Sequence, residues 1–262
     1  MNIFYLDHDP TLAAQWMVDK HIVKMPLESC QMLSTAHRLI DGIPQKVEFT
    51  DEKGQLKRKT VHLLPGEDII IAPYEDGRIA PQIINRKCYN PTHRNHPSTV
   101  WTMSSRENYL KHVDILRAML LEYTARYGRQ HKSASTVLEF LATPPKNLKS
   151  GPLTDPTPAM SDYYKVEGDS VQSYRNYYAG SKWRFAKWKH GIVPTWYTSR
   201  VLSMWFRGDA LQRALDAETV LKKKTPPSHP DVMKVVYEAM FKDVKNSSPV
   251  DFGRISLVQV TA

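Results

Sequence analysis

The sequence predicts a mainly α-helical fold with a small β-rich insertion at about residues 43–90, and three observations predict it. Most of the chain repeats apolar residues every three or four positions, the period of one helix face. Helix-capping residues punctuate those stretches. Only residues 43–90 change habit, to short extended runs separated by turn residues. With 262 residues, 41% hydrophobic and 24% charged, the chain suits a single domain, 1–262. The insertion and an additional helical region at 200–262 elaborate that domain.

Taken in order, Asn2 to Leu6 is a short apolar run. Asp9 followed by Pro10 is a helix start, a capping carboxylate before proline at the first helical position, and the helix should reach about Val18. Asp19 is expected to cap a second helix. Pro26 should break or restart that helix near Met25, and Gly42 should end it. Lys46–Thr50 and Lys59–Leu64 flank a turn at 52–55 and read as a hairpin. Asp68–Ala72 and Arg78–Ile84 form a second pair about Gly77. Pro97–Met103 and Ser104–Tyr127 read as helices, with Ser104 and Glu107 as a capping box and Gly128 as the stop. A short helix is expected at 133–142, an irregular connection at 146–160 and a helix opening at Gly168–Ser170. Further helices are expected at 210–221 and 230–244, before an extended tail.

The formal charge is +9 and the pI near 9.4, a balance that favours a polyanionic partner, nucleic acid above all. Cys30 and Cys88 fit neither a disulfide framework nor a zinc pattern, so a reducing, cytoplasmic setting is expected. No stretch has signal-peptide or membrane-span character. The common phosphate-loop, serine-hydrolase, zinc-protease and dithiol motifs are absent from the sequence. No metal or cofactor is expected.

Chemistry-bearing residues gather in three places. On a helix over 19–38, His21, Lys24, Glu28, Gln31 and Thr35 share one stripe, with Ile22, Met25, Ser29, Leu33 and Ala36 mainly opposite. That stripe reads either as an active-site floor or as a solvated face with an i,i+4 ion pair. Tyr174 to His190 carries Arg175, Lys182, Arg184, Lys187 and Lys189 without one acidic residue, interleaved with Tyr177, Trp183, Phe185 and Trp188. Cations meet phosphates and flat rings stack on bases, so this segment is read as a DNA contact. Thr92 to Pro97 concentrates His93, Arg94 and His96 before a helix N-terminus, where phosphate is well received. His37 and His112 read as structural histidines.

Three pieces, HIVKMPLESCQML with Lys24, Glu28 and Gln31, Asn95-His96-Pro97 with Trp101, and Pro194-Thr-Trp196-Tyr197, together resemble the pyrimidine-dimer DNA glycosylase/AP lyase family of T-even phages and their bacterial relatives. The likeness covers about half the chain and leaves 43–90 and the region after 200 without a counterpart. It implies a base-excision enzyme in a bacterial or phage-infected cell, acting on double-stranded DNA with a damaged or modified pyrimidine. In that family the first residue's α-amine attacks C1′, and a glutamate assists at the sugar. An α-amine titrates near pH 7.7–8.0, so a useful share is nucleophilic at neutral pH. Carried over, Glu28 is the glutamate, with Lys20, His21 and Lys24 its phosphate-facing neighbours. The nucleophile is the amine of Met1, whose retention the bulk of Asn2 favours, or that of Asn2 if Met1 is removed. The basic segment (Arg175, Lys182, Trp183, Arg184, Lys187, Trp188, Lys189, Trp196, Tyr197) and His93, Arg94, His96 and Trp101 complete the expected DNA surface. The alternatives are a phage-type transferase that alters a flipped pyrimidine and a non-catalytic DNA-binding protein. Oligomeric state has no signal in the sequence.

Overall fold

The computed structural model describes residues 1–189, 192–197 and 200, except the side chains of Ser133 and Arg184. The helices expected at 210–221 and 230–244 and the tail lie outside the described residues. Within them the fold is mainly α: seven α-helices and two small antiparallel hairpins.

Helix α1 (Pro10–Gln15) starts as its residues dictate, the Asp9 side chain accepting from the Thr11 N–H at 2.8 Å. It stops short of Val18, because the chain must turn into α2 (Asp19–Ile40). That turn is clamped by Arg126, which donates to the carbonyls of Gln15 and Met17 and to the Asp19 carboxylate. Asp19 therefore does not cap α2. It is the first helical residue, and Val18 precedes it with no side-chain cap. The break expected near Met25 does not occur either, since Pro26 sits inside a continuous helix. Proline there forfeits the bond to the Ile22 carbonyl, and burial of Ile22, Met25, Pro26 and Cys30 holds the helix through it.

The insertion is two hairpins, β1 (Ile43–Thr50) with β2 (Leu56–Leu63) and β3 (Asp68–Pro73) with β4 (Ile79–Ile84). Arg38, fully buried on the last turns of α2, fixes them to the helical body. Its guanidinium pairs with both Glu67 oxygens and donates to the carbonyls of His62, Cys88 and Tyr89. Burial alone would raise the Glu67 pKa. Hydrogen bonds from Arg38, Lys87 and Leu64 overcome it and hold the carboxyl below its usual range.

Helix α3 (Pro97–Ser104) leads into α4 (Arg106–Tyr127). The serine that caps α4 is Ser105, one residue beyond the expected box, and it accepts from the Asn108 N–H. Glu107 instead accepts from the Gly151 N–H. Gly128 ends α4 at φ 64°, a left-handed conformation that glycine takes without strain. The helix expected at 133–142 divides into α5 (Lys132–Ser135) and α6 (Leu138–Leu141). Helix α7 (Ser170–Tyr177) is capped by Asp169 and continues into a wide π turn (Tyr178–Lys182), then a 3-10 turn (Trp183–Phe185). The core lies where α2 packs against α3 and α4, closed by residues 3–6, Tyr174, Tyr178 and Tyr197. No helix among the described residues is long and apolar enough to cross a membrane.

Candidate active site in the N-terminal cleft

The first residues, α2 and the turn after α7 enclose a cleft of about 320 Å³, lined by Met1, Asn2, Phe4, Lys20, His21, Lys24, Met25, Glu28, Tyr177, Lys182 and Phe185. Helical spacing puts His21, Lys24 and Glu28 on its floor. The chain start arrives from the other side. Ile3 and Leu6 are fully buried, the Asn2 side chain donates to the Ala159 carbonyl, and Arg175 ties Leu6 and Asp7 down. Phe4 turns this segment with φ 51°, a costly conformation for a residue with a large side chain. Its ring stacks on His21 at 4.0 Å.

The Met1 amine consequently stands 3.6 Å from Glu28 Oε2, while Lys24 Nζ pairs with Oε1 at 2.9 Å. Glu28 is only 8% exposed. Its Oε2 is buried and has no hydrogen-bond partner among the described residues; the charge it faces is the Met1 ammonium. The i,i+4 ion pair of the solvated-face reading is present, with the Lys24 side chain exposed, but its carboxylate is covered.

His21 is buried beside three lysines. Burial first, then Lys182, Lys24 and Lys20, lowers its pKa to about 3. The Tyr178 oxygen accepts from the Val18 N–H at 3.1 Å and shares a hydrogen bond with His21 Nδ1 at 2.5 Å. The ring is a neutral wall, not a cation. Lys182, delivered by the π turn, donates to the Tyr177 hydroxyl at 2.9 Å and lies over that ring. Lys20 lies 5.0 Å from the Phe185 ring centroid. Cations thus ring an aromatic slot with one carboxylate and one amine at its base.

Of the expected site residues, the cleft brings together Met1, Asn2, Lys20, His21, Lys24, Glu28 and Lys182. His96, the N-cap of α3, is partly buried and does not line the cleft; burial lowers its pKa. Gln31 is half-buried along α2 and does not line the cleft. His93, Arg94, Lys187 and Lys189 are exposed, and the Arg184 side chain lies outside the described part.

The aromatic half of the DNA-contact expectation is corrected. Trp183 is 5% exposed, Tyr197 0% and Trp101 3%, so none can stack on a base without leaving the core. Trp188 donates to the Trp16 carbonyl, and Trp101 to Thr154. Arg175 is corrected too: it lies between the Trp16 and Trp196 rings and holds Asp7, which commits both Arg175 and Trp196 to the fold. A ring among lysines reads alike in sequence whether it stacks on a base or on a neighbouring helix. Phe4, Tyr177 and Phe185 form the slot walls instead. Phe4 was hidden in a run that reads as plain core, and only its positive φ marks it out.

His37 and His112 are buried and bonded to Tyr109 and Thr102. Among the described residues no group of three or more His, Cys, Asp or Glu side chains is placed to hold a metal. Comparison with models of known families, with curated proteins and with solved structures finds no match to this chain.

Proposed function

We propose that this chain is a DNA base-excision enzyme, a glycosylase with AP lyase activity that works through an imine on its own N-terminal amine and acts on a damaged or modified pyrimidine. The observation that carries the reading is the 3.6 Å approach of the Met1 amine to a buried Glu28 inside a lysine-lined cleft. An amine, a carboxylate and surrounding cations are the groups this chemistry needs.

A nucleotide extruded from the duplex enters the slot at a cost of a few kcal/mol, least where the base pair is already damaged. Lys20, Lys24 and Lys182 take its phosphates. The amine attacks C1′, the C1′–N bond breaks, and the base leaves with a proton. Loss of the second amine proton and opening of the sugar give the imine. Glu28 stabilises the developing positive charge at the sugar and takes the C2′ proton in the elimination that breaks the C3′–O bond. Water then hydrolyses the imine and returns the amine. His21 stays neutral throughout and serves as a wall for the sugar and base.

The test is borohydride trapping on two duplexes, one carrying a thymine dimer and one an abasic site. A covalent adduct is expected, and peptide mass spectrometry should place it on the first residue's amine, which also decides between Met1 and Asn2. Absence of both adduct and released base would remove the reading. An intact strand with an altered base would replace it with transfer chemistry.

A further inference from the structure

We infer that Tyr177 is the specificity-determining residue of the cleft: its hydroxyl donates to the base, so the slot takes pyrimidines that carry an oxygen, not an amino group, at position 4. The inference rests on the proposed entry of an extruded pyrimidine. Tyr177 closes α7, half-buried, and lines the cleft. Lys182 Nζ reaches its hydroxyl at 2.9 Å and stands 4.2 Å from its ring centroid. An ammonium can only donate, so the phenol oxygen accepts and its own hydrogen must point elsewhere. Among the described residues no acceptor takes it. On an α-helix a residue five positions on would point about 140° away. The π turn Tyr178–Lys182 winds wider and returns Lys182 to Tyr177.

The side chains of the cleft offer a base more donors than acceptors. The Glu28 carboxylate is engaged by Lys24 and the Met1 ammonium. The Asn2 amide donates to the Ala159 carbonyl and accepts from the Ile3 N–H. His21 is engaged through Nδ1 by Tyr178. Remaining as donors are the Tyr177 hydroxyl and the ammonium groups of Lys20 and Lys182. Every pyrimidine carries O2, so that edge separates none of them. Position 4 does: thymine presents an acceptor there and cytosine an amino donor. A 4-oxo base satisfies the hydroxyl, whereas an amino group set against it leaves two donors facing each other unpaired. The Tyr177 and Phe4 rings lie 14° from parallel, so an in-plane hydroxyl on Tyr177 meets the edge of a base laid flat against Phe4. Lys182 gives Tyr177 one N–H and keeps two for phosphate.

The probes are 5-hydroxyuracil and 5-hydroxycytosine, two damaged bases that differ in the 4-oxo or 4-amino edge. Each is set opposite thymine in one duplex sequence, so that neither is Watson–Crick paired. The full-length protein should release 5-hydroxyuracil about ten- to a hundredfold faster in a single turnover, the discrimination that a base-edge contact supplies. Tyr177→Phe keeps the ring and removes only the hydroxyl. It should bring that ratio close to one while the urea midpoint stays near wild type. A Tyr177 that only shaped the slot would change release of both bases alike and leave the ratio intact. A wild-type ratio near one, or a ratio kept by Tyr177→Phe, would overturn the inference. If neither base is released and no adduct forms on an abasic duplex, the proposed function falls instead. Competition between the two duplexes for binding, read by anisotropy, would still decide the role of Tyr177. Wild type should prefer the 5-hydroxyuracil duplex and Tyr177→Phe should lose that preference, whereas equal affinities in wild type would overturn the inference.

Discussion

The Met1 amine and the Glu28 carboxylate, the first residue and one midway along α2, face each other across 3.6 Å. Lys24 takes the opposite carboxylate oxygen. This contact depends on three independent supports: the anchored Asn2, the strained turn at Phe4 and the covered floor of α2.

Glu28→Gln keeps the shape of that contact and removes its charge and basicity. Imine trapping and strand cleavage should fall by about 10² to 10⁴, the range of a lost acid–base group. Duplex affinity, read by fluorescence anisotropy, should hold or rise slightly. Cleavage at the wild-type rate would reduce Glu28 to a structural ion pair.

Cations of the cleft and buried rings of the basic segment should separate cleanly. Lys20→Ala, Lys24→Ala and Lys182→Ala should each lower the salt dependence of duplex binding by about one unit of log–log slope. Tyr197→Ala should instead cost about 3–5 kcal/mol of stability, as for other large buried aromatics, with affinity unchanged in the fraction that stays folded. Weak DNA binding by a fully stable Tyr197→Ala would restore the ring to the interface.

Acid should unfold this protein early. Burial lowers His21 and His112 to about 3 and His37 to about 4, from an ordinary 6.5. Below pH 6.5 the unfolded chain binds protons that the folded one refuses, so stability falls as pH drops, until the folded pKa values are reached. Each histidine contributes about 1.4 kcal/mol per pH unit, about 4 for the three together. Urea midpoints measured between pH 7 and pH 5 should drop steeply. A flat profile over that range would mean that these rings are protonated in the fold.

Arg38→Ala strands the Glu67 carboxylate beneath the insertion and should cost about 3–5 kcal/mol. Arg38→Met with Glu67→Leu should recover most of it, because the pair's net contribution is small next to the penalty for leaving one charge alone. The Glu67 carboxyl is held below its ordinary 4.5, so its contribution is present above that value and is lost as pH falls through the lower folded one. Urea melts of the single and double variants measure both effects.

Much of the fold was legible locally. Asp9 and Asp169 cap the helices they precede, Gly128 stops α4, and both hairpins form about their predicted turns. The α2 stripe was legible for the same reason: a helix repeats every 3.6 residues wherever it lies. Pro26 and Ser104 misled because burial can carry a helix through a proline, and because adjacent serines compete for one cap.

What the sequence determined by itself was therefore periodic and local: a mainly α chain, its β-rich insertion, a basic balance and the His21–Lys24–Glu28 stripe. Tertiary structure alone decided which faces were covered. It buried Trp183 and Tyr197, turned Phe4 against His21, and brought the chain start to Glu28. The physical reason is that burial belongs to a pair of surfaces. One strand of sequence specifies only its own face, and the partner face comes from residues far along the chain.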